Sequence, residues 1–505
     1  MKHKRNESPA CDSLVLTRRN LLEWAGLAAT IAALPSLATG ALSSRWQSPP
    51  AKSAASVMNP LSTYMSEAAT HALPDEVTEK AKHHILDTLA AMISGSNLLP
   101  GRRALEFARE YGGKEISTVV ASNVLCGAIE AALTNGMLAH ADETDDSHSP
   151  SQSHPGCAVV PAALAAGEQF HVSGLHFLRA VALGYDIGTR VTMTLGGQQF
   201  EAESHWSTHS IAPLFGAAAA ASCTASLNAQ QMRWMLGYTA QQSSGLGSWN
   251  RDTEHIQKAF LFGGMNARNG VTSALLVKSG WTGLDDVFSG KDNFFQAYNP
   301  NADPSGLIDK LGERFEVTRT NIKKWPVGSP IQAALDSLEI LRKDHPFDAA
   351  QVQRVDVRLA TDEAAIVNNR EIPDICVQHM LAVALLDKTV TFASAHDVAR
   401  MKDPAVLHER AKINLIPDVE LERLMPLRVA ILEVTLVDST RLSHRVDNVR
   451  GTPENPMTRE EVVAKARDLI VPVLGEQKCA GLIGKILALQ SVGDIRELRP
   501  LLQLK

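Results

Sequence analysis

The protein comprises 505 residues, of which 45% are hydrophobic and 21% charged, as in a globular protein large enough for more than one core. Its formal net charge of −6 argues against nucleic acid as a main partner, but it does not exclude a small anionic ligand in a locally basic pocket. Aromatic residues make up only 5%, and Ala-rich stretches favour close helix packing over a β-sandwich.

The N-terminal residues have the pattern of an export signal. Arg18 and Arg19 precede an apolar, Ala-rich run that ends at Leu37 and is short for a membrane span. Paired arginines before such a run are typical of twin-arginine (Tat) signals, which export folded proteins. We predict a Tat-type signal over residues 1–41, a polar linker over 42–57, and a periplasmic protein without stable membrane insertion after signal removal. An uncleaved leader or anchor is the alternative.

Beyond the predicted signal, the cysteines show no short paired spacing that would indicate a disulfide framework or a CxxC metal site. They lie at Cys126, Cys157, Cys223, Cys376 and Cys479. A Tat substrate folds in the cytoplasm and needs no disulfides to do so.

Residues from about 58 to 320 have a helical pattern. In residues 74–95, apolar side chains recur at helical spacing, from Val77 and Ala81 onward. Residues 118–141 form another apolar stretch, and residues 211–222 are nearly all small, which permits close approach of helices.

The pattern changes near residue 320. Residues 352–360 alternate as a strand does, residues 428–447 predict a β-hairpin, and a helix is expected at about 376–387 between them. Thr458 and Glu461 then fit a capping box at the start of a new helix.

These patterns predict a mainly α fold in which a large all-helical domain is interrupted by a smaller α/β lid. The helical domain would span residues 58–320, the lid 321–450, and residues 451–505 would complete the helical domain. We find no phosphate-binding loop and no dinucleotide-binding glycine motif, so we expect no cofactor.

The densest polar cluster is the segment HADETDDSHSPSQSHPG, residues 140–156. A stretch this charged is buried only with partners. Composition alone permits a solvated loop with helix caps, a carboxylate/histidine acid–base site, or a metal site.

Three further motifs could contribute to a site. His205 and His209 have the i, i+4 spacing that can chelate a metal, although the Glu of HExxH is missing. Lys258 precedes a Gly-Gly turn, where a lysine near a helix start suits an anion. Lys323 lies just before Trp325-Pro326 at the predicted domain junction, a favoured place for ligands.

In this order, the segments resemble the MmgE/PrpD family, which includes 2-methylcitrate dehydratase and cis-aconitate decarboxylase. The similarity covers roughly residues 60–500 and includes NGMLAHADETDDSHSPSQSHPGCAVVPAALAAGE, GYDIGTRV, HWSTHSIAPLFGAAAAAS, KAFLFGGMNARNG and IKKWPVGSP. It implies the same two-part architecture, a homodimer, and a lyase that works without metal or cofactor.

By position, the resemblance implies site residues that neutralise substrate carboxylates and transfer a proton beside one of them. The implied catalytic set is His154, Glu143, Ser147, Lys258 and Lys323. We expect His205, Asp146 and His148 to contact the substrate, with His148 as the rival of His154 for the role of base.

Four departures from the family pattern argue for a substrate different from that of the best-known members. Glu143 stands where the decarboxylases have Asp, and Ser147 stands where they have Thr. No His follows Trp325-Pro326, and the spacing from Ser147 to His154 is one residue longer.

The resulting hypothesis is a lyase acting on a small di- or tricarboxylate, with dehydration as the leading reaction. Decarboxylation, epimerisation or racemisation are alternatives within the family. Two alternatives come from other classes. One is a non-catalytic binding protein on this scaffold. The other is a metal-dependent periplasmic hydrolase with a ligand set drawn from His140, Asp142, Asp145, Asp146, His148 and His205.

Overall fold

A computed structural model describes residues 57–504 of the chain. The predicted signal and, apart from Val57, the predicted linker lie outside these residues. Among the described residues, no helix is both long and apolar enough to cross a membrane.

Helices of seven residues or more, and the strands, are labelled in chain order. The helices are α1 Met58–Glu67, α2 Asp75–Gly95, α3 Leu99–Tyr111, α4 Ala128–Ala139, α5 Gly156–Phe170, α6 Gly174–Leu195, α7 Gly197–Ser204, α8 Thr208–Thr224, α9 Ala229–Gln241, α10 Met265–Lys278, α11 Ser329–Asp344, α12 Thr361–Val367, α13 Val377–Asp387, α14 Pro404–Arg410 and α15 Arg459–Leu487. The strands are β1 Ser117–Thr118, β2 Leu125–Cys126, β3 Val352–Ala360, β4 Ile413–Asp418, β5 Ala430–Leu436 and β6 Arg441–Val446. Shorter helical turns include Ile256–Ala259, Phe294–Tyr298, Phe392–Ala395, Val419–Glu422 and Arg499–Leu502.

The helices up to α10 pack closely because small residues line their contacts. The alanines from Ala217 to Ala221 of α8 are buried, as the small-residue stretch predicts. A Cβ on Gly188 of α6 would lie 2.3 Å from the carbonyl oxygen of Ala212 in α8. Only glycine therefore allows this crossing, and the two backbones nearly touch.

A second hydrophobic core is formed by residues between Trp325 and Val449. Its four-stranded sheet has the order β4-β3-β5-β6, with β3 and β4 parallel and the other pairs antiparallel. The predicted strand at 352–360 and the predicted hairpin are confirmed as β3 and β5–β6. The sequence pattern did not predict β4.

The helices before residue 320 contribute to a hydrophobic core that we call the first core. The C-terminal helix α15 belongs to this core and packs against α2. The capping box of Thr458 and Glu461 is confirmed at its start, and the helical path breaks at Gly475, where φ is 80°. The prediction of a mainly α fold with a smaller sheet-containing part is confirmed. One detail is corrected, because the first part also contains the short antiparallel pair β1–β2, which the apolar pattern of residues 118–141 concealed.

Candidate active site

The polar segment 140–156 connects α4 to α5 and is buried rather than solvated. All four of its acidic side chains are at most 6% exposed. Burial of so much charge is tolerated only with partners, and each carboxylate has one. The partners lie on different sides of the segment, so neighbouring acidic side chains point in different directions. The interpretation as a solvated loop is wrong for this segment.

Asp145 holds two imidazoles at the centre of the site. Its Oδ2 lies 2.9 Å from Nδ1 of His140 and its Oδ1 lies 3.1 Å from Nδ1 of His154. A carboxylate that accepts from Nδ1–H leaves Nε2 of each ring available to take or give a proton. Asp145 therefore fixes the orientation of two potential acid–base groups.

Two lysines converge on Glu143. Lys258 Nζ forms an ion pair with Oε1 of Glu143, and Lys323 Nζ lies 3.6 Å from Oε2 and 2.7 Å from the carbonyl oxygen of the same residue. Lys323 is also 3.7 Å from Oδ1 of Asp145. The lysines that the sequence singled out thus meet at one acidic side chain, next to the histidine pair.

A close backbone contact brings Lys258 to the loop. The helical turn Ile256–Ala259 is followed by a π-helical turn, Phe260–Gly264. A Cβ on Gly263 would lie 2.0 Å from the carbonyl oxygen of Gly136 in α4. The Gly-Gly turn therefore allows close contact between helices, and it places Phe262 against His140 and His209, with Lys258 over Phe262.

Aromatic and imidazole rings form one wall of the site around Phe262. His140 and His209 stack on Phe262 with ring centroids 4.4 and 4.5 Å away. Trp249 meets Phe262 edge-on at 4.8 Å. Lys258 lies over Trp249, 5.0 Å from its centroid. Trp249 and Lys258 are only partly buried, so this wall lies at the side from which solvent reaches the site.

The electrostatics favour ionised carboxylates beside a neutral His154. Burial alone would raise the pKa of Glu143, but Lys258 and Lys323 hold it well below its usual range. Burial likewise opposes ionisation of Asp145, and the imidazoles of His140 and His154 outweigh it and lower its pKa. Burial lowers the pKa of His154 despite the opposing charge of Asp145. At neutral pH His154 can therefore accept a proton.

The side chain of Asp142 points away from the histidine pair, toward residues that follow α13. Its Oδ2 lies 2.9 Å from Nε2 of His396, and Asp374 lies 3.9 Å from the same nitrogen. Burial would lower the pKa of His396, but its contact with Asp142 and the charge of Asp142 raise it to about 9. This ion pair ties the polar segment to residues that follow α13.

Several predicted substrate contacts serve the scaffold instead. Asp146 accepts from the Gly156 N–H at 3.0 Å and from the Tyr185 hydroxyl, and it pairs with His84 at 2.8 Å. It has no exposed surface, so it anchors the loop to the helices. The structure thus places Asp146 against the helices, with both carboxylate oxygens engaged, rather than beside the histidine pair.

His148 is also engaged elsewhere. Its Nδ1 lies 2.8 Å from Ser151 Oγ and its Nε2 lies 3.3 Å from Glu316, so both ring nitrogens have partners away from the His140–His154 pair. The structure therefore places His148 apart from the His140–His154 pair, with both ring nitrogens engaged.

Two other predicted residues stand apart from the His/Lys cluster. His205 is exposed at the end of α7, and His209, four residues on, enters the ring wall in its place. Ser147 pairs through its backbone with Asn321 and lines a separate cleft that Lys323 also borders. The structure therefore does not bring His205 to the histidine–lysine cluster, and Ser147 lies at its edge.

A metal ion fits this arrangement poorly. Single ligand atoms of His140, Asp145 and His154 lie within 4.8 Å of one another, as do those of His140, Glu143 and His255. Both sets share His140, and the ammonium groups of two lysines lie against the same carboxylates. Two fixed positive charges oppose a cation there.

Sequence comparison places the chain among known proteins. Residues 59–306 match the MmgE/PrpD N-terminal domain and residues 325–489 match the MmgE/PrpD C-terminal domain. The chain belongs to the MmgE/PrpD family. The second match runs into α15, which packs on the helices of the first core.

Curated relatives carry names from the same family. A cis-aconitate decarboxylase-like protein of Aspergillus oryzae is 25% identical over 88% of this chain and 96% of its own length. Cis-aconitate decarboxylase of Aspergillus terreus is 24% identical over 87% and 94%, and the human enzyme of that name is 25% identical over 85% and 91%. The prediction of a lyase of this family is confirmed.

Proposed function

We propose that the protein is a cofactor-independent lyase that dehydrates a small hydroxy di- or tricarboxylate. The observation that carries this proposal is the pairing of His140 and His154 through Asp145, beside a carboxylate that is bound by two lysines. Dehydration needs a base for a carbon-bound proton and an acid for the leaving hydroxyl. Two imidazoles with fixed orientation can supply both.

In the proposed reaction, Nε2 of neutral His154 takes the proton from the carbon next to a substrate carboxylate. Electrons of that C–H bond form the C=C bond, and the C–O bond on the neighbouring carbon breaks. The hydroxyl leaves as water with a proton from the second imidazole, His140. Lys258 and Lys323 stabilise the negative charge that develops on the substrate carboxylate.

Decarboxylation is the second candidate, because the named relatives are cis-aconitate decarboxylases. In that reaction the C–C bond to one carboxylate breaks, carbon dioxide leaves, and an imidazolium protonates the carbanion. The same groups serve, but only one proton donor is needed.

The test is turnover followed by proton NMR in deuterium oxide. Purified protein without residues 1–41 would be incubated with citrate, 2-methylcitrate, malate and cis-aconitate. We expect loss of water from a hydroxy acid, with deuterium appearing next to a carboxylate on reversal. Release of carbon dioxide from cis-aconitate would select the decarboxylase instead, and no conversion of any polycarboxylate would count against both.

We also propose export by the twin-arginine route, which rests on Arg18, Arg19 and the apolar run after them. Changing both arginines to lysine should leave precursor in the cytoplasm. Fractionation and immunoblotting of the full chain would measure this. Unchanged periplasmic delivery of the variant would contradict the proposal.

A further inference from the structure

The ring wall contains polar atoms that nothing in the described residues satisfies. They are His140 Nε2, His209 Nδ1, His255 Nε2 and Trp249 Nε1, and all are shielded from solvent. An unpaired buried donor or acceptor destabilises the folded protein, and four in one place point to a ligand that pairs with them.

These atoms belong to one cluster. The His140 ring is 5.2 Å from His255 and the His209 ring is 5.5 Å from Trp249, measured between centroids. His140, His209 and Trp249 all contact Phe262. Three of the four rings therefore contact Phe262, which Lys258 also covers, and His255 joins them through His140.

The charged groups of the site are already matched to one another. Lys258 and Lys323 face Glu143, and Lys323 also faces Asp145. Glu201 Oε2 is 3.9 Å from Nε2 of His209, which is beyond hydrogen-bonding distance, so the single proton of the neutral ring can lie on Nδ1. A second carboxylate, beyond the one that the lysines bind in the proposed reaction, thus finds unengaged hydrogen-bond donors in the rings.

We propose that His209, His255 and Trp249 form a second carboxylate-binding subsite, which selects substrates with at least two carboxylates. This inference rests on the proposed function and extends it to the part of the substrate remote from proton transfer. Burial lowers the pKa of His209 well below its usual range and that of His255 to about 3. The rings therefore act as neutral N–H donors, as does the indole of Trp249.

Paired variants separate hydrogen bonding from packing. Asn places an N–H where His209 has Nδ1, whereas Leu places none, so His209→Asn is matched with His209→Leu. Gln likewise replaces Nε2 of His255, so His255→Gln is matched with His255→Met. Trp249→Phe keeps an aromatic ring on Phe262 and removes only the indole N–H and part of the ring area.

Binding would be measured by titration calorimetry with cis-aconitate as a tricarboxylate probe and crotonate as a monocarboxylate probe. We expect His209→Leu, His255→Met and Trp249→Phe each to weaken cis-aconitate at least 10-fold. His209→Asn and His255→Gln should recover most of the affinity. Crotonate affinity should change less than twofold throughout, because a single carboxylate is bound at the lysines.

The subsite would be overturned if the Asn and Leu variants of His209 lost cis-aconitate affinity equally, or if crotonate affinity fell as much as cis-aconitate affinity. Either result would mean that the rings contribute only packing. Should the Leu and Met variants fail to fold, a Trp249→Phe variant that binds cis-aconitate as tightly as the wild type would by itself overturn the proposed subsite. Normal turnover of the wild type with unaffected variant binding would refute the subsite and leave the lyase intact. Donor-dependent binding without turnover of any polycarboxylate would refute the lyase and leave the subsite. Absence of polycarboxylate binding by the wild type would refute both.

Discussion

Asp145→Asn should impair catalysis by disturbing the imidazoles while leaving every proposed substrate contact in place. Asp145 accepts one hydrogen bond from each of His140 and His154. Asn has one carbonyl oxygen and one amide NH₂, so it can accept from only one ring. The other ring must present Nδ1 as an acceptor, which puts its proton on Nε2. That ring can no longer act as a base in its resting state.

The size of the effect follows from the bonds that are lost. One charge-assisted hydrogen bond is removed, and this loss of about 1.5–3 kcal/mol is what it costs to return the affected ring to its productive tautomer. A difference of 1.4 kcal/mol is about a factor of ten in rate, so we expect kcat to fall by about 10–150-fold. KM should change less than kcat, since Lys258 and Lys323 keep their contacts with Glu143 and only the 3.7 Å charge contact of Lys323 with Asp145 is lost.

A pH profile distinguishes this effect from simple loss of structure. The charge of Asp145 raises the pKa of His154 against the larger effect of burial. Removal of that charge should lower the pKa further, so the acidic limb of the kcat profile should move to lower pH. NMR turnover from pH 4 to 9, with circular dichroism as a folding control, would measure this. Wild-type kcat with an unmoved acidic limb would refute the positioning role of Asp145.

Three further predictions concern other groups. Lys258→Met should lower kcat/KM at least 10-fold, because it removes a charged hydrogen bond worth about 1.5–3 kcal/mol. A variant with wild-type kinetics would show that Lys258 does not belong to the site. His154→Gln should lower turnover by about 10²–10⁴ with folding retained, and chelator should have no effect on the wild type; EDTA inactivation reversed by zinc or manganese would contradict this. Because the folded-state pKa of His396 is raised to about 9, its pairing with Asp142 stabilises the protein fully below about pH 6.5 and is lost as pH rises through 9. Melting temperature should therefore decline from pH 7 to 10 in the wild type, and His396→Gln should lack this part of the decline.

The sequence was informative wherever a pattern is local. The strand at 352–360, the hairpin β5–β6 and the cap at Thr458 follow from alternation and short-range hydrogen bonds, and all three are confirmed. β4 was missed because it pairs in parallel with β3 across more than fifty residues of chain, and no local turn marks it.

In the site, too, the sequence indicated which residues matter but not the contacts that depend on distant parts of the chain. The resemblance directed attention to Glu143, His154, Lys258 and Lys323, and the structure brings these together. It did not show which way each side chain of segment 140–156 points. In an irregular loop, side-chain direction depends on distant partners, such as Tyr185 for Asp146.

His209 and Trp249 could have been suspected only in part. His209 stood in the HxxxH pair, but the favoured residue of that pair was His205. The signal that separates them is structural, since His205 has φ of 62° at the end of α7 and His209 lies within α8. Trp249 and His255 lie in a segment with no periodic pattern, so sequence offered no reason to orient them toward Phe262.

The polar segment explains how one loop can serve several parts of the molecule. Asp146 binds the helices of the first core, Glu143 meets Lys323 just before the second core begins, and Asp142 pairs with His396 beyond it. Lys465 of α15 adds a bond to the carbonyl oxygen of Thr144 at 2.9 Å. Every one of these contacts buries charge, which is costly unless the geometry is met at both ends. The geometry of the acid–base pair therefore depends on contacts that reach the loop from both cores and from the C-terminal helix.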